Sequence, residues 1–316
     1  MKRKILIVSP RAFGYIDHIV KTLKKQHSIE LTVVYLEYSG YRNNKEKVVN
    51  FLSKTFTGVN LKKTYHFLKN DVKQLEKQDE VLIIRPDFLS NRFLKLIKKK
   101  TKLFNAFYFD SAQRVPRKQE IIHFFDKVYS FDKVDVQKYD FEFLTNYIFE
   151  TAEVNTAPEY LFFNISGNDD GYRFNQLETM AKYIKHKNWS YKFLSFHPAK
   201  LNADRGYIDV IDEIIYVDEV VDLIKKSKIL VELQRDNQIG LSFRIFESLG
   251  LKKKLVTSNK DVVNYDFYNP QNILVVDPNN ISIPDDFVDS PYVDVPESIL
   301  EKYKIKHWVN YVFNLK

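Results

Sequence analysis

The 316-residue chain contains no cysteine, which excludes disulfides, cysteine-ligated zinc and a cysteine nucleophile. It has only 8 glycines, roughly a third of the usual ~7% share, so each is read as marking a position that needs one. It also lacks an Asp-x-Asp triplet, a Gly-x-x-x-x-Gly-Lys phosphate loop and a Gly-x-Gly-x-x-Gly fingerprint. P-loop ATPases and ordinary nicotinamide dehydrogenases are thereby set aside. The seven histidines, at 18, 27, 66, 123, 186, 197 and 307, are dispersed and form no His-x-x-x-His pair. No metal site and no cofactor are expected. No apolar run approaches the ~20 residues of a membrane span. The run Ile5–Val8 is too short for a signal-peptide core. A cytoplasmic protein is expected, with peripheral attachment to the inner membrane left open.

What is present is the composition of a globular protein: 44% hydrophobic and 28% charged residues. The length allows two domains. The net charge is +8, but it is unevenly placed. Residues 1–150 carry 29 Lys+Arg against 17 Asp+Glu, and residues 151–316 carry 20 against 24. The basic excess therefore belongs to the first half. Nucleic acid is one partner such a charge suggests, yet no helix-turn-helix or RNP-type sequence occurs, and none is expected to bind. An anionic membrane surface or an acidic glycan fits a basic half equally well.

Apolar runs alternate with stretches of helical spacing. Strands are predicted at Ile5–Val8, Leu31–Leu36, Glu80–Ile84, Leu103–Phe109 and Lys127–Phe131. Helices are predicted at Tyr15–Lys25, Lys45–Leu52, Thr64–Lys77 and Phe88–Lys99. A second series follows the polar stretch Glu150–Glu159. Its strands are Tyr160–Ile165, Ser190–Ser195, Glu213–Val217, Ile229–Leu233, Leu255–Thr257 and Ile273–Val276. Its helices run from the 166–171 loop to about Lys185, over Val220–Lys226, over Phe243–Leu249 with Gly250 as the C′ residue, and over Glu297–Asn314. Strands separated by helices imply parallel sheets. The organisation read from this pattern is an α/β chain with a Rossmann-like domain at 1–154, a second at 155–296 and a C-terminal helix at 297–316. Ligands of such sheets lie beyond the carboxyl ends of strands, so the informative residues are those just after strands.

Foremost is Gln238-Ile-Gly-Leu-Ser-Phe-Arg-Ile-Phe-Glu-Ser-Leu-Gly250, which follows a strand and opens a helix. Gly240 permits close backbone approach. The helix start near Ser242 offers N–H groups and a positive dipole end to a phosphate. Arg244 can add a fork of donors, and Glu247 can accept the two hydroxyls of a ribose. The alternative is a surface helix with an Arg–Glu pair at i, i+3. Gly167 and Gly171 flank a loop after the next domain's first strand, with Arg173 beyond it, or the Asn-Asp-Asp-Gly stretch is simply a solvated turn. Gly14 follows the first strand, and Asp17 and His18 follow it. Asp87 and Asp110 each end a strand, where a carboxylate can take a proton from an acceptor hydroxyl, and Asp110 is favoured as that base. Asp110 can instead serve as a cap.

The 238–250 segment resembles the donor-binding stretch of bacterial GT-B glycosyltransferases of the lipopolysaccharide and capsular polysaccharide type. Leu251–Asn259, Tyr265–Tyr268, Phe109–Ser111 and Tyr129–Asp132 are similar to the same group. The resemblance implies two Rossmann-like domains facing a central cleft, with a C-terminal helix packing back on the first. It implies metal-independent transfer of a sugar from a nucleotide-sugar to a glycan or lipid-linked glycan acceptor. Gln238, Gly240, Ser242, Arg244 and Glu247 would then meet the donor, together with Gly14, Gly167, Arg173 and His197. Asp110, Asp87 or Asp17 would serve the acceptor. One departure concerns stereochemistry. Many retaining members carry two glutamates eight residues apart, and eight before Glu247 stands Ile239. His197-Pro198 with Asp169-Asp170-Gly171 resembles short motifs of bacterial sialyltransferases, which keeps CMP-sugar donors open. A non-catalytic sugar- or nucleotide-binding protein is the remaining alternative.

Overall fold

The computed structural model describes residues 2–36, 43–57, 75–115, 118–151, 157–167, 171–197, 206–236 and 238–315. The chain divides into two compact units, Met1–Leu144 and Thr145–Lys316.

The first unit runs β1 (Arg3–Ser9), α1 (Tyr15–Lys24), β2 (Ile29–Tyr35), α2 (Asn44–Thr57), β3 (Gln78–Ile84), α3 (Asn91–Lys98) and β4 (Thr101–Tyr108). It continues with α4 (Lys118–Ile121), β5 (Lys127–Ser130), α5 (Lys133–Tyr139) and β6 (Glu142–Phe143). The strands form one sheet in the order β2-β1-β3-β4-β5-β6, every pair parallel. Ile5 to Val8 and Val81 to Ile84 are fully buried. Strands covered on both faces read as unbroken apolar runs, which is why they are legible in the sequence. Helix α3 begins later than its apolar spacing suggests. Pro86–Phe88 forms a 3₁₀ turn, and Ser90 caps the helix by accepting from Phe93 N at 3.4 Å. Of the predicted helix Thr64–Lys77, residues 64–74 lie outside the described residues.

The second unit runs β7 (Tyr160–Gly167), α6 (Tyr172–His186), β8 (Tyr191–Phe196), β9 (Asp209–Ile211), α7 (Val217–Lys225) and β10 (Ser227–Glu232). Then come α8 (Phe243–Gly250), β11 (Lys254–Thr257), β12 (Ile273–Val275), α9 (Asp285–Asp289), α10 (Glu297–Leu300) and α11 (Ile305–Phe313). The sheet order is β12-β11-β10-β7-β8-β9, again all parallel. Numbered within the unit, that is the 3-2-1-4-5-6 order of a dinucleotide-binding sheet, and its switch point lies between β7 and β10.

Three predicted elements of this unit need correction. The strand expected at Glu213–Val217 lies earlier, at Asp209–Ile211, and Val217 opens α7. Of the predicted run only Val217 enters the helix, opening the buried face that Val220, Val221 and Ile224 continue, while Ile214 and Ile215 precede it outside any strand, Ile214 exposed. Gly250 is the last residue of α8 rather than a left-handed cap beyond it. It is needed for space: a Cβ there would sit 2.2 Å from the Glu150 carbonyl oxygen. The single helix expected over Glu297–Asn314 is interrupted at Lys304. There the chain pairs with the segment after Leu144, Ile148 N donating to Tyr303 O and Ile305 N to Ile148 O, both at 2.8 Å. Asn146 Nδ2 also donates to Leu241 O at 2.9 Å, and Trp308 Nε1 to Thr145 O at 3.1 Å. Residues 145–150 thus belong with the second unit by their contacts, whereas the sequence reading places the junction after 154.

Candidate nucleotide-binding site

The switch point of the second sheet gathers most of the second-half residues singled out in the sequence. Strand β7 ends at Gly167, whose carbonyl accepts from Arg173 Nη2. Gly171, with φ of 77°, is the N-cap of α6, a left-handed turn that glycine adopts without penalty. It places Arg173 in the first turn, folded back toward the strand end. From the other side, Arg244 in the first turn of α8 reaches the Ile165 carbonyl of β7 with Nη2 at 3.3 Å. Arg244 also lies over the Phe163 ring at 5.8 Å. Two guanidinium groups therefore converge on the carboxyl end of β7.

The Gly240 loop is held from beneath. Gln234 Nε2 donates to Gln238 O at 2.5 Å and to Gly240 O at 3.3 Å. Asn259 Nδ2 donates to Ile239 O at 3.2 Å. Gln234 N in turn donates to Ser258 Oγ at 2.8 Å. With the loop carbonyls tied down to the ends of β10 and β11, the backbone leads into α8 at Ser242, an extended N-cap (φ −68°, ψ 163°) whose hydroxyl makes no capping bond. A helix start of this kind attracts an anion through its dipole.

Arg244 and Glu247 form the i, i+3 pair considered in the sequence reading, but it is not a surface pair. The Glu247 side chain is fully buried and that of Arg244 is 11% exposed. A ribose would have to compete with Arg244 for that carboxylate.

The sequence reading missed a second carboxylate, Glu232, which ends β10 and is wholly enclosed. Burial pushes its pKa up. The Thr257 and Ser242 hydroxyls and the charges of Arg173 and Arg244 offset only part of that rise. Thr257 Oγ1 donates to Glu232 Oε2 at 2.5 Å. Its one visible signal was position, an acid closing the apolar run Ile229-Leu-Val-Glu232 at a strand's carboxyl end. Asn164 of β7 was missed too: its amide donates to Val231 O at 2.8 Å, while Oδ1 is buried without a hydrogen-bond partner. Two arginines, two enclosed carboxylates and a helix start thus form a compact, balanced polar cluster that can receive a diphosphate by re-pairing its arginines.

Of the remaining second-unit residues, His197 follows β8, half-buried, its backbone N–H bonded to Ile211 O at 2.9 Å. Asp169 and Asp170 lie outside the described residues.

Of the first-unit candidates, Asp87 and Asp110 meet at one guanidinium, while Gly14 and Asp17 belong to the start of α1. Arg85, just after β3, adopts φ 58°, ψ 58° and grips Asp87 with Nε to Oδ1 at 2.9 Å and Nη2 to Oδ2 at 3.0 Å. Its Nη1 donates to Asp110 Oδ2, and Arg114 Nε lies 3.5 Å from Asp110 Oδ1. Burial pushes the Arg85 pKa down, but the bonds and charges of Asp87 and Asp110 more than offset this and hold it above its ordinary value. Asp110 is buried. To act as a base it must first be released from a guanidinium. Gly14, with φ of 97°, is the N-cap of α1. Asp17 on that helix is exposed and accepts from the Tyr35 hydroxyl, whose own pKa is raised by burial and by Asp17. Among the described residues no group of three or more His, Asp or Glu side chains is placed to hold a metal ion.

Neither a described protein family nor a curated protein sequence matches the chain. Solved structures do. The glycotransferase of kitacinnamycin aligns over 100% of this chain and 99% of its own, with a TM-score of 0.53 and 9% identity. S. aureus MnaA, solved with UDP, aligns over 100% and 98%, with a TM-score of 0.52 and 13% identity. The chain has the GT-B type of fold. At these identities the likeness is one of fold, carried by two units that each hold a six-stranded parallel sheet.

Proposed function

We propose that this GT-B chain is a glycosyltransferase that moves a sugar from a nucleotide-sugar to a surface-glycan acceptor of the lipopolysaccharide or capsule kind. The observation that carries the reading is the convergence of Arg173 and Arg244 on the end of β7, beside the start of α8. Departure of a nucleoside diphosphate develops negative charge, and preorganised donors at that point stabilise it. In this reading Gly167, Gln238, Gly240 and Ser242 shape the phosphate side, and Glu247 meets the ribose once Arg244 turns to the diphosphate. The first unit takes the acceptor, a glycan or lipid-linked glycan, and Asp110 accepts the proton of its hydroxyl. Asp87 and Arg85 position Asp110, and Gly14 and Asp17 line the acceptor side. The chemistry needs no metal, because arginines and a helix start supply the positive charge. Because solved S. aureus MnaA holds UDP, a uridine nucleotide is the first donor to test.

The experiment is a thermal-shift screen of the full chain with UDP, GDP, TDP and CMP, followed by incubation with the matching sugar-nucleotides. A nucleotide at 100 times its dissociation constant stabilises by about 2.7 kcal/mol, which a melt resolves. Stabilisation by a diphosphonucleotide with release of that nucleotide from its sugar supports the reading. Stabilisation by CMP alone would transfer it to CMP-sugar chemistry with His197 and the 169–170 acids. Binding without transfer or hydrolysis of any sugar-nucleotide would leave a binding protein, and no binding would refute the site.

A further inference from the structure

Strand β9 is too short to cover its neighbour. It pairs with Leu194–Phe196 alone, so among the described residues the first half of β8 has no strand on its outer side. Beside that bare edge, residues 206–209, the amino end of β7 and the end of α7 enclose a groove of about 590 Å³. That size suits a small molecule. The groove lies at the amino ends of β7 and β8, whereas the arginine cluster stands at the carboxyl end of β7. From Tyr160 to Gly167 the strand makes seven steps of about 3.3 Å, which sets the two sites roughly 23 Å apart.

The walls are aromatic and held in place. The Tyr160 hydroxyl donates to Leu223 O of α7 at 2.5 Å. The Tyr191 ring packs on Phe193 with centroids 5.0 Å apart. The Lys182 and Lys185 ammonium groups of α6 lie 5.3 and 5.0 Å from the Tyr207 centroid. Burial, with Tyr207 and Asp209 nearby, raises the Tyr191 pKa, so its hydroxyl keeps its proton.

The polar groups of the groove are uncommitted. Among the described residues the side chains of Lys192 and Asp209 make no hydrogen bond or ion pair, although Lys192 is half-buried. Glu159 and Lys226 pair with each other at 3.0 Å. Two cations thus stand against two carboxylates, and the groove is balanced. A phosphate or carboxylate ligand would meet Glu159 and Asp209 as well as the lysines. A wholly apolar one would strip water from Lys192 and Asp209 and return no hydrogen bond. An uncharged saccharide fits both features. Its C–H faces lie on tyrosine rings. Its hydroxyls donate to a carboxylate and accept from an ammonium or a phenol. We propose that this groove is a second saccharide site, holding a neutral mono- or disaccharide unit against the tyrosines with its hydroxyls at Lys192 and Asp209. At that distance from the arginine cluster it takes a part of a glycan that is not being transferred. The inference stands on the groove and not on sugar transfer, so either can fail without the other.

The test is saturation-transfer NMR of the full chain with glucose, galactose, N-acetylglucosamine, maltose, lactose and chitobiose, followed by titration of each sugar that responds. At least one should bind with a Kd of about 1 mM or tighter. Its binding should be the same in about 0.1 and 0.5 M salt, because the ligand is uncharged, and unchanged when UDP is added. Lys192→Met with Asp209→Asn should weaken it roughly tenfold or more, with two hydrogen bonds to charged groups lost. Melting temperature and UDP affinity should not move. Tyr191→Phe, which removes only a hydroxyl, should weaken the sugar severalfold and serves as the deciding variant if the double variant melts lower. No response from any of the six sugars overturns the proposal, as does equal sugar binding by the variants. Displacement of the sugar by UDP would place it in the arginine cluster instead. Loss of UDP binding in the double variant would make the groove a nucleotide site, and glucuronate bound far more tightly than glucose would make it an anion site; each of these also overturns the proposal.

Discussion

Replacing Gly250 with alanine puts a methyl carbon 2.2 Å from the Glu150 carbonyl oxygen and 2.7 Å from Ile148 Cγ2. Even a close carbon–oxygen contact in proteins is about 3.3 Å, so roughly 1 Å of overlap must be absorbed. The obstacle cannot swing aside. The Glu150 oxygen is main chain, and Ile148 is pinned by its N–H and C=O to the 303–305 segment. Overpacking costs about 1–3 kcal/mol, and a main-chain obstacle puts this case at the upper end. At about 2–4 °C per kcal/mol for a domain this size, the second unit should melt some 6–12 °C lower. Calorimetry or circular dichroism of the full chain reads this directly. Gly167→Ala is the matched control: its new carbon meets Arg173 Nη2 at 3.7 Å, an ordinary contact, so its melt should stay within about 2 °C of wild type. Because Gly250 ends the helix that carries Arg244 and Glu247, the variant should also bind nucleotide more weakly. A Gly250→Ala protein as stable as wild type would refute the packing of 145–150 against α8.

Glu247→Ala leaves Arg244 without its carboxylate. Breaking an enclosed pair costs about 3–5 kcal/mol, and nucleotide affinity should fall at least tenfold; unchanged affinity in a thermal-shift titration would remove Glu247 from the donor site. Glu232 has a folded pKa raised above its unfolded value, so its favourable contribution is present below about pH 4.5 and is lost as pH rises through the folded value. In urea unfolding, Glu232→Gln should therefore lose less stability than wild type from pH 4.5 upward; parallel pH curves would contradict the burial assigned to it. Lys253 is the opposite case. Burial lowers its pKa to about 8, so between pH 8 and 10.5 the unfolded chain holds more protons and stability rises with pH. Lys253→Met lacks that rise, so wild-type stability should climb relative to the variant from pH 8 to 10 in urea unfolding, and parallel curves would contradict the burial of Lys253. Asp110→Asn should reduce turnover about 10²–10⁴-fold with nucleotide affinity intact; full turnover in a steady-state assay would show the base to be elsewhere.

The fold class was legible because parallel strands buried on both faces are continuous apolar runs, and Ile5–Val8 and Ile229–Val231 needed no partner to be recognised. The glycine positions were legible for a similar reason. With so few in the chain, Gly14 and Gly171 stood out, and both prove to be left-handed helix caps. The same logic misassigned Gly250, because a close approach by residues a hundred positions away leaves no local trace.

The sequence by itself determined two α/β units, their parallel strands, the basic first half and the Arg244–Glu247 spacing. These depend on local periodicity and composition. Tertiary structure alone decided which strands become neighbours, and hence that the switch point falls between β7 and β10. It decided that Glu247 is enclosed and that Glu232 joins Arg173 and Arg244. It also decided that Arg85 occupies Asp110. Burial and pairing depend on which distant segments meet, and side-chain spacing along one element carries no record of that.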